Sequence, residues 1–130
     1  MAAPGHVQGP HLAGTGPVTA VSLTATALAG AVLGCAVAGL VGQVASARAE
    51  VDAAADLAAL AVAAHVVRGE PHQTACDVGG AVAAGPRTRL TGCVVDGFVV
   101  TVQVVRDLDL LGATLPVVAA ARAGPDPVGP

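Results

Sequence analysis

The side chains able to do chemistry in this 130-residue chain are few. Cys76 and Cys93 lie beyond a long apolar stretch, while Cys35 sits inside it. An odd total divided in this way suggests a Cys76–Cys93 disulfide and a lipid-embedded thiol at Cys35. The alternative is a reduced pair acting as small buried hydrophobes. His65, His72, Cys76 and Cys93 are also zinc-ligand types, and His72-x-x-x-Cys76 is a workable helical spacing. A helix break separates His65 from the others, however, and the two cysteines already account for each other, so no metal is expected. Asp52 and Asp56 can pair as acid and base, but on an exposed alanine-rich helix they read as a solvated face. Ser22 and Ser46 are the only serines and both lie in the apolar stretch, out of reach of a Ser-His-Asp arrangement. Gly79-Gly80 lacks the Lys-Ser/Thr that completes a phosphate loop. The expectation is a protein without catalytic residues or cofactor.

The elements that must position these residues begin with a membrane helix. The first charged side chain is Arg48, and from Val18 to Ala47 nothing ionises. About 20 apolar residues already cross a bilayer, so residues 18–47 are read as a transmembrane helix. As a helix this run spans roughly 45 Å at 1.5 Å per residue, longer than the hydrocarbon core. Residues 1–17, rich in Gly and Pro, read as a flexible tail. Within the helix Thr26, Gly30, Gly34, Ala38, Gly42 and Ser46 recur every fourth residue. Such a ridge of small residues lets membrane helices approach closely, and self-association or association with another subunit is expected. Val32-Leu33-Gly34-Cys35 loosely resembles a lipoprotein cleavage site, but no Arg or Lys precedes the run and the apolar stretch continues past Cys35.

Charge gives the topology only a feeble vote. Arg48 near the helix end favours a cytoplasmic head, whereas the cysteine pair favours an oxidising outer space. The cysteines carry more weight, because Arg48 stands amid Glu50, Asp52 and Asp56. The expectation is therefore a cytoplasmic N-terminus and an extracytoplasmic head over 48–125, with 126–130 a C-terminal tail. All six basic residues are arginine, the net charge is −3, and Phe98 is the only aromatic residue. There is no basic stripe for phosphates and no platform for bases, which excludes nucleic acid as a partner.

The head reads as α+β. The apolar helix continues through Ala49–Val67, which contains neither Gly nor Pro, giving one helix over 18–68 that stops at Gly69-Glu70-Pro71. A shorter helix follows over His72–Ala84, weakened by Gly79-Gly80. Leu90–Val95, Asp96-Gly97 and Phe98–Arg106 read as a hairpin with a two-residue type I′ turn. In that register Val95 faces Phe98, Cys93 faces Val100, and Cys93 points to the core with Phe98, Val100, Val102 and Val104. Leu115–Arg122 adds a third strand, with Pro116 confining it to an edge. A head of roughly 80 residues has a thin core, so a disulfide would matter to it.

The segment Arg48-Ala-Glu-Val-Asp-Ala-Ala-Ala-Asp-Leu-Ala-Ala-Leu-Ala61 resembles the R-x-x-x-Q-A-A-A-D-L-A-A-L-A segment of TadE-like proteins, of the Flp (tight adherence) pilus and secretion neighbourhood of high-GC actinobacteria. Arg48, Asp52, Asp56, Leu57 and Leu60 carry the match. Ala75-Cys76, Cys93 and Ala121-Arg122-Ala123-Gly124-Pro125 follow in the order of the small actinobacterial branch, so the resemblance covers residues 16 to 125. It implies a pilin-like, single-pass subunit whose partners are the membrane and other pilus or secretion subunits. Asp52 stands where the family usually has Gln, and no Glu follows the start of the apolar run until Glu50. The missing Glu favours an anchored accessory subunit over a processed fibre subunit. The alternative from another class is a membrane-tethered binding module that joins no fibre.

Overall fold

The computed structural model describes residues 8–126, with side chains from residue 19 onward. Five elements follow in order: helix α1 (Gln8–Val67), helix α2 (His72–Ala83), and strands β1 (Thr88–Asp96), β2 (Val99–Leu110) and β3 (Ala113–Ala123). The chain is thus α+β, a long N-terminal helix followed by a short helix and a three-stranded antiparallel sheet of order β1-β2-β3. It divides into two compact units, Met1–Leu40 and Val41–Pro130. Residues 1–7 of the expected tail, and 127–130 at the other end, lie outside the described residues. From Gln8 onward the backbone is helical, so α1 starts at Gln8 and not at Val18. Pro10 is tolerated in the first turn, where its missing N–H has no intrahelical acceptor. Cooperative propagation outweighs the weak local preferences of the glycines that follow.

In the first unit, the side chains from Thr19 to Gly39 are all exposed. Two of their hydroxyls bond within the helix: Thr24 donates to the Ala20 carbonyl at 2.7 Å, and Thr26 to the Ser22 carbonyl. One helix is thereby long and apolar enough to span a membrane.

In the second unit, α1 buries one face. Ala47, Val51, Ala55, Ala58, Val62 and Val66 recur at three- and four-residue intervals, and all are buried. From Val51 onward their partners are Val100, Val102 and Val104, alternating along β2, with Ala119 and Ala121 of β3 and Ala75 and Ala83 of α2. The largest fully buried side chains are five valines, Val51, Val62, Val100, Val102 and Val104. With such small side chains the backbones must come close. Gly79 of α2 makes this possible, since a Cβ there would run into the Val62 side chain and lie 3.6 Å from the Ala58 carbonyl.

α1 ends in a Schellman motif. Gly69 adopts φ +79°, its N–H donates to the Val66 carbonyl at 2.9 Å, and the Glu70 N–H donates to His65 at 3.2 Å. Pro71 then opens α2.

The first hairpin differs from the expected register. The turn residues are Gly97-Phe98, Asp96 pairs with Val99, and Cys93 faces Val102 rather than Val100. Only Gly97 has positive φ, which is the type II′ sign pattern and not type I′. A slip of two positions in pairing preserves which face a side chain lies on, so Cys93 still packs against the core with Val100, Val102 and Val104. Phe98 does not: it sits in the turn and is 60% exposed. A bulge between Leu90 and Gly92 restores Leu90 to the core side.

The second hairpin is longer than expected. β2 runs on to Leu110, and β3 begins at Ala113 with Pro116 opposite Asp107 on the outer strand. Its turn, Leu111-Gly112, has positive φ at both residues (51° and 82°), the type I′ pattern.

Candidate functional site

The expected disulfide is present. Cys76 on α2 and Cys93 on β1 are bonded, with Cα atoms 6.0 Å apart. Cys76 sits one residue after the buried Ala75, on the side of α2 that packs on β1. Closing this loop stabilises the folded state by about 3 kcal/mol in the chain-entropy model. Cys35 is the free, exposed thiol.

The small-residue ridge lies open. Thr26, Gly30, Gly34, Ala38, Gly42 and Ser46 are exposed, and a Cβ on Gly30, Gly34 or Gly42 would meet nothing within 4 Å.

The residues that carry the family resemblance part company. Arg48 reaches two ways: its Nε donates to Asp52 at 3.1 Å, and its Nη1 to the Val118 carbonyl of β3 at 2.8 Å. It ties the helix to the outer strand of the sheet. Asp56 is exposed, and Leu57 and Leu60 are 59% and 61% exposed on the side of α1 away from the core.

Four neighbouring pairs were not foreseen individually. Arg106 of β2 meets Glu50 at 3.2 Å, with the Arg106 Nε buried and unpartnered. Across the first hairpin Arg89 donates to Asp107 at 2.7 Å and Arg87 to Asp109 at 3.2 Å. With Arg48–Asp52 these make a band of four arginines and four acids where α1 enters the head. The available signal was the alternation Arg87-x-Arg89 and Asp107-x-Asp109, which places like charges on one face of each strand and opposite charges on facing strands.

His65 is not near His72 or the cysteines in a ligand set. It donates from Nδ1 to Glu70 at 2.6 Å, with Arg68 3.3 Å from the same carboxylate. The His65 hydrogen bond, seconded by Arg68, holds the Glu70 carboxyl below its ordinary value. This pair fastens the end of α1. Among the described residues no group of three or more His, Cys, Asp or Glu is gathered to hold a metal.

The clefts of the head are shallow and open. One is lined by Asp56, Ala59, Leu60, Arg122, Ala123 and Gly124; another runs along the disulfide between Gln73 and Cys93. Neither gathers a nucleophile with a base. No protein-family model, curated protein or solved structure matches the chain.

Proposed function

We propose that this chain is a non-enzymatic, single-pass membrane protein of TadE-like, pilin-like character, serving as an anchored structural or accessory subunit of a Flp-type pilus or secretion apparatus. The observation that carries the reading is a single helix that is charge-free up to Ala47 and then forms one wall of a disulfide-stapled head. A helix of this kind in lipid satisfies its own backbone and hydroxyl groups, and the disulfide belongs in an oxidising compartment. On this reading the N-terminus is cytoplasmic and the head faces outward. The open ridge from Thr26 to Ser46 is the surface offered to other transmembrane helices.

The test is mass spectrometry of the membrane-extracted protein, reduced and unreduced, after protease treatment of intact cells. A linked Cys76–Cys93 peptide, with the head shaved from outside, supports the proposal. Reduced thiols with a protease-protected head would refute the outward orientation. Co-purification with other secretion subunits supports the accessory role, whereas recovery only as a lone monomer favours a tethered binding module.

A further inference from the structure

We propose that the β2–β3 hairpin tip, Leu110-Leu111-Gly112-Ala113 with Leu115 beside it, is a second membrane contact that dips into the headgroup–acyl boundary next to α1. The inference rests on the membrane reading above and adds a lipid-facing surface to the head.

The depth of the tip follows from register. Val118 lies at Arg48, held by the 2.8 Å bond from its side chain. Further along, Ala123 and Gly124 line one cleft with Asp56, Ala59 and Leu60. From Val118 to Ala123 a strand advances roughly 17 Å, and from Arg48 to Ala59 a helix advances roughly 16 Å. The two elements therefore run side by side in the same direction. Followed backward, β3 extends from Val118 to Ala113, roughly another 17 Å beyond Arg48. Val41–Ala47 accounts for only about 10 Å of that length. β3 thus runs past the whole of Val41–Ala47, residues that carry no charge. Burial agrees: Ala47 is fully covered, and Val44 is 43% exposed against 63% for Val41.

The chemistry of the tip matches that depth. From Leu110 to Ala121 no residue is charged. Leu111 is 91% exposed, the largest exposure among the large hydrophobic side chains described. It also holds a left-handed backbone conformation at φ 51°, which bulky residues rarely adopt and Asn or Gly would adopt readily. A leucine there gains nothing from the head and points where lipid would lie. The nearest polar groups are neutralised: Thr114 donates to Asp109 at 2.7 Å, and Asp109 also accepts from Arg87. The charged groups nearest the tip are thus held in pairs, and the remaining pairs, Arg89–Asp107, Arg106–Glu50 and Arg48–Asp52, follow along the strand away from it. Apolar side chains at a bilayer boundary with charges set just above them are the pattern of interfacial anchoring.

The test uses the full chain with Cys35→Ala, reconstituted into vesicles of phosphatidylcholine and phosphatidylglycerol that carry a spin-labelled acyl chain. Leu111→Cys, Ala113→Cys and, at the opposite end of the sheet, Phe98→Cys are each labelled with an environment-sensitive fluorophore, without reductant so that Cys76–Cys93 stays closed. Quenching several-fold stronger at 111 and 113 than at 98, with blue-shifted emission, is expected. Equal, water-like emission at all three positions, in protein that resists alkaline carbonate extraction, would overturn the hairpin contact and leave the helix anchor standing. Release of the protein by carbonate would overturn the anchor, and the hairpin contact with it.

Discussion

Replacing Gly79 with alanine should destabilise the head, while the same change at its neighbour Gly80 should stabilise it. Both glycines lie in α2, where alanine is favoured over glycine by about 0.8–1 kcal/mol. At Gly80 a Cβ would meet only the Leu90 Cδ2, at an ordinary 3.9 Å, so most of that gain should appear. At Gly79 the Cβ would collide with the Val62 side chain and sit 3.6 Å from the Ala58 carbonyl. Val62 is fully buried and β-branched, so it has no other rotamer to retreat to. Overpacking of this kind costs about 1–3 kcal/mol, which exceeds the helix gain and leaves a net loss of roughly 1 kcal/mol. A change of that size shifts the midpoint of a domain this small by about 4–8 °C. Thermal unfolding followed by circular dichroism in detergent, with the disulfide intact, should give opposite shifts for Gly79→Ala and Gly80→Ala. Val62→Ala should abolish the penalty at Gly79 in a double-mutant cycle. Equal stabilisation by both alanines would refute the close approach of α1 and α2.

Four further outcomes are expected. Cys76→Ser/Cys93→Ser should lower head stability by about 3 kcal/mol, read from denaturant midpoints of oxidised wild type against the variant. Leu111→Asn should raise the thermal midpoint in detergent by relieving a left-handed leucine, a conformation that costs about 1–2 kcal/mol; an unchanged or lower midpoint would contradict the strain. Glu70 has its carboxyl held below the ordinary value of 4.5, so its contribution is complete above that value and is lost as pH falls through the lower, folded-state value. Glu70→Gln should therefore flatten the acid limb of the stability–pH curve, measured by thermal unfolding between neutral and strongly acidic buffers. Gly30→Leu/Gly34→Leu should weaken helix association in a membrane two-hybrid assay, and unchanged signal would remove the ridge from the interface.

How far the sequence reveals this fold depends on which signal each element left. The inner face of α1 is written in its periodicity, since the buried Val51, Ala55, Ala58 and Val62 stand three and four residues apart. The Cys76–Cys93 bond followed from cysteine placement, and the outer-strand position of β3 from Pro116. The turn of the first hairpin was misplaced because Asp-Gly is the strongest short hairpin signal, yet the chain uses Gly97 as the first turn residue. Phe98 thereby leaves the core, which needs no aromatic side chain once Gly79 lets the helices close on small residues. The third strand is legible, but the turn and full length of the second hairpin are not, because the turn holds Leu111 where turn chemistry calls for Asn or Asp. A turn that violates its own preference is invisible to propensity reasoning. The ion-pair band was hidden for a different reason: its pairings depend on β1–β2 register and on where α1 crosses the sheet.

That band alters how orientation should be argued. Arg48 is the only basic residue near the membrane helix in sequence, and taken as a free charge it favours a cytoplasmic head. In the folded head it is paired with Asp52 and bonded to the Val118 carbonyl. Folding also brings Arg87, Arg89 and Arg106 each to an acid, Asp109, Asp107 and Glu50, along the same end of the sheet. Four arginines against four acids cancel, so on the proposed membrane reading these pairs offer no net charge to either leaflet. A neutral band has no electrostatic reason to prefer the inside, so charge ceases to count against an outward head. Within the proposed membrane reading, the Cys76–Cys93 disulfide is then the feature that speaks for an outward head, since disulfides form and persist mainly in oxidising surroundings.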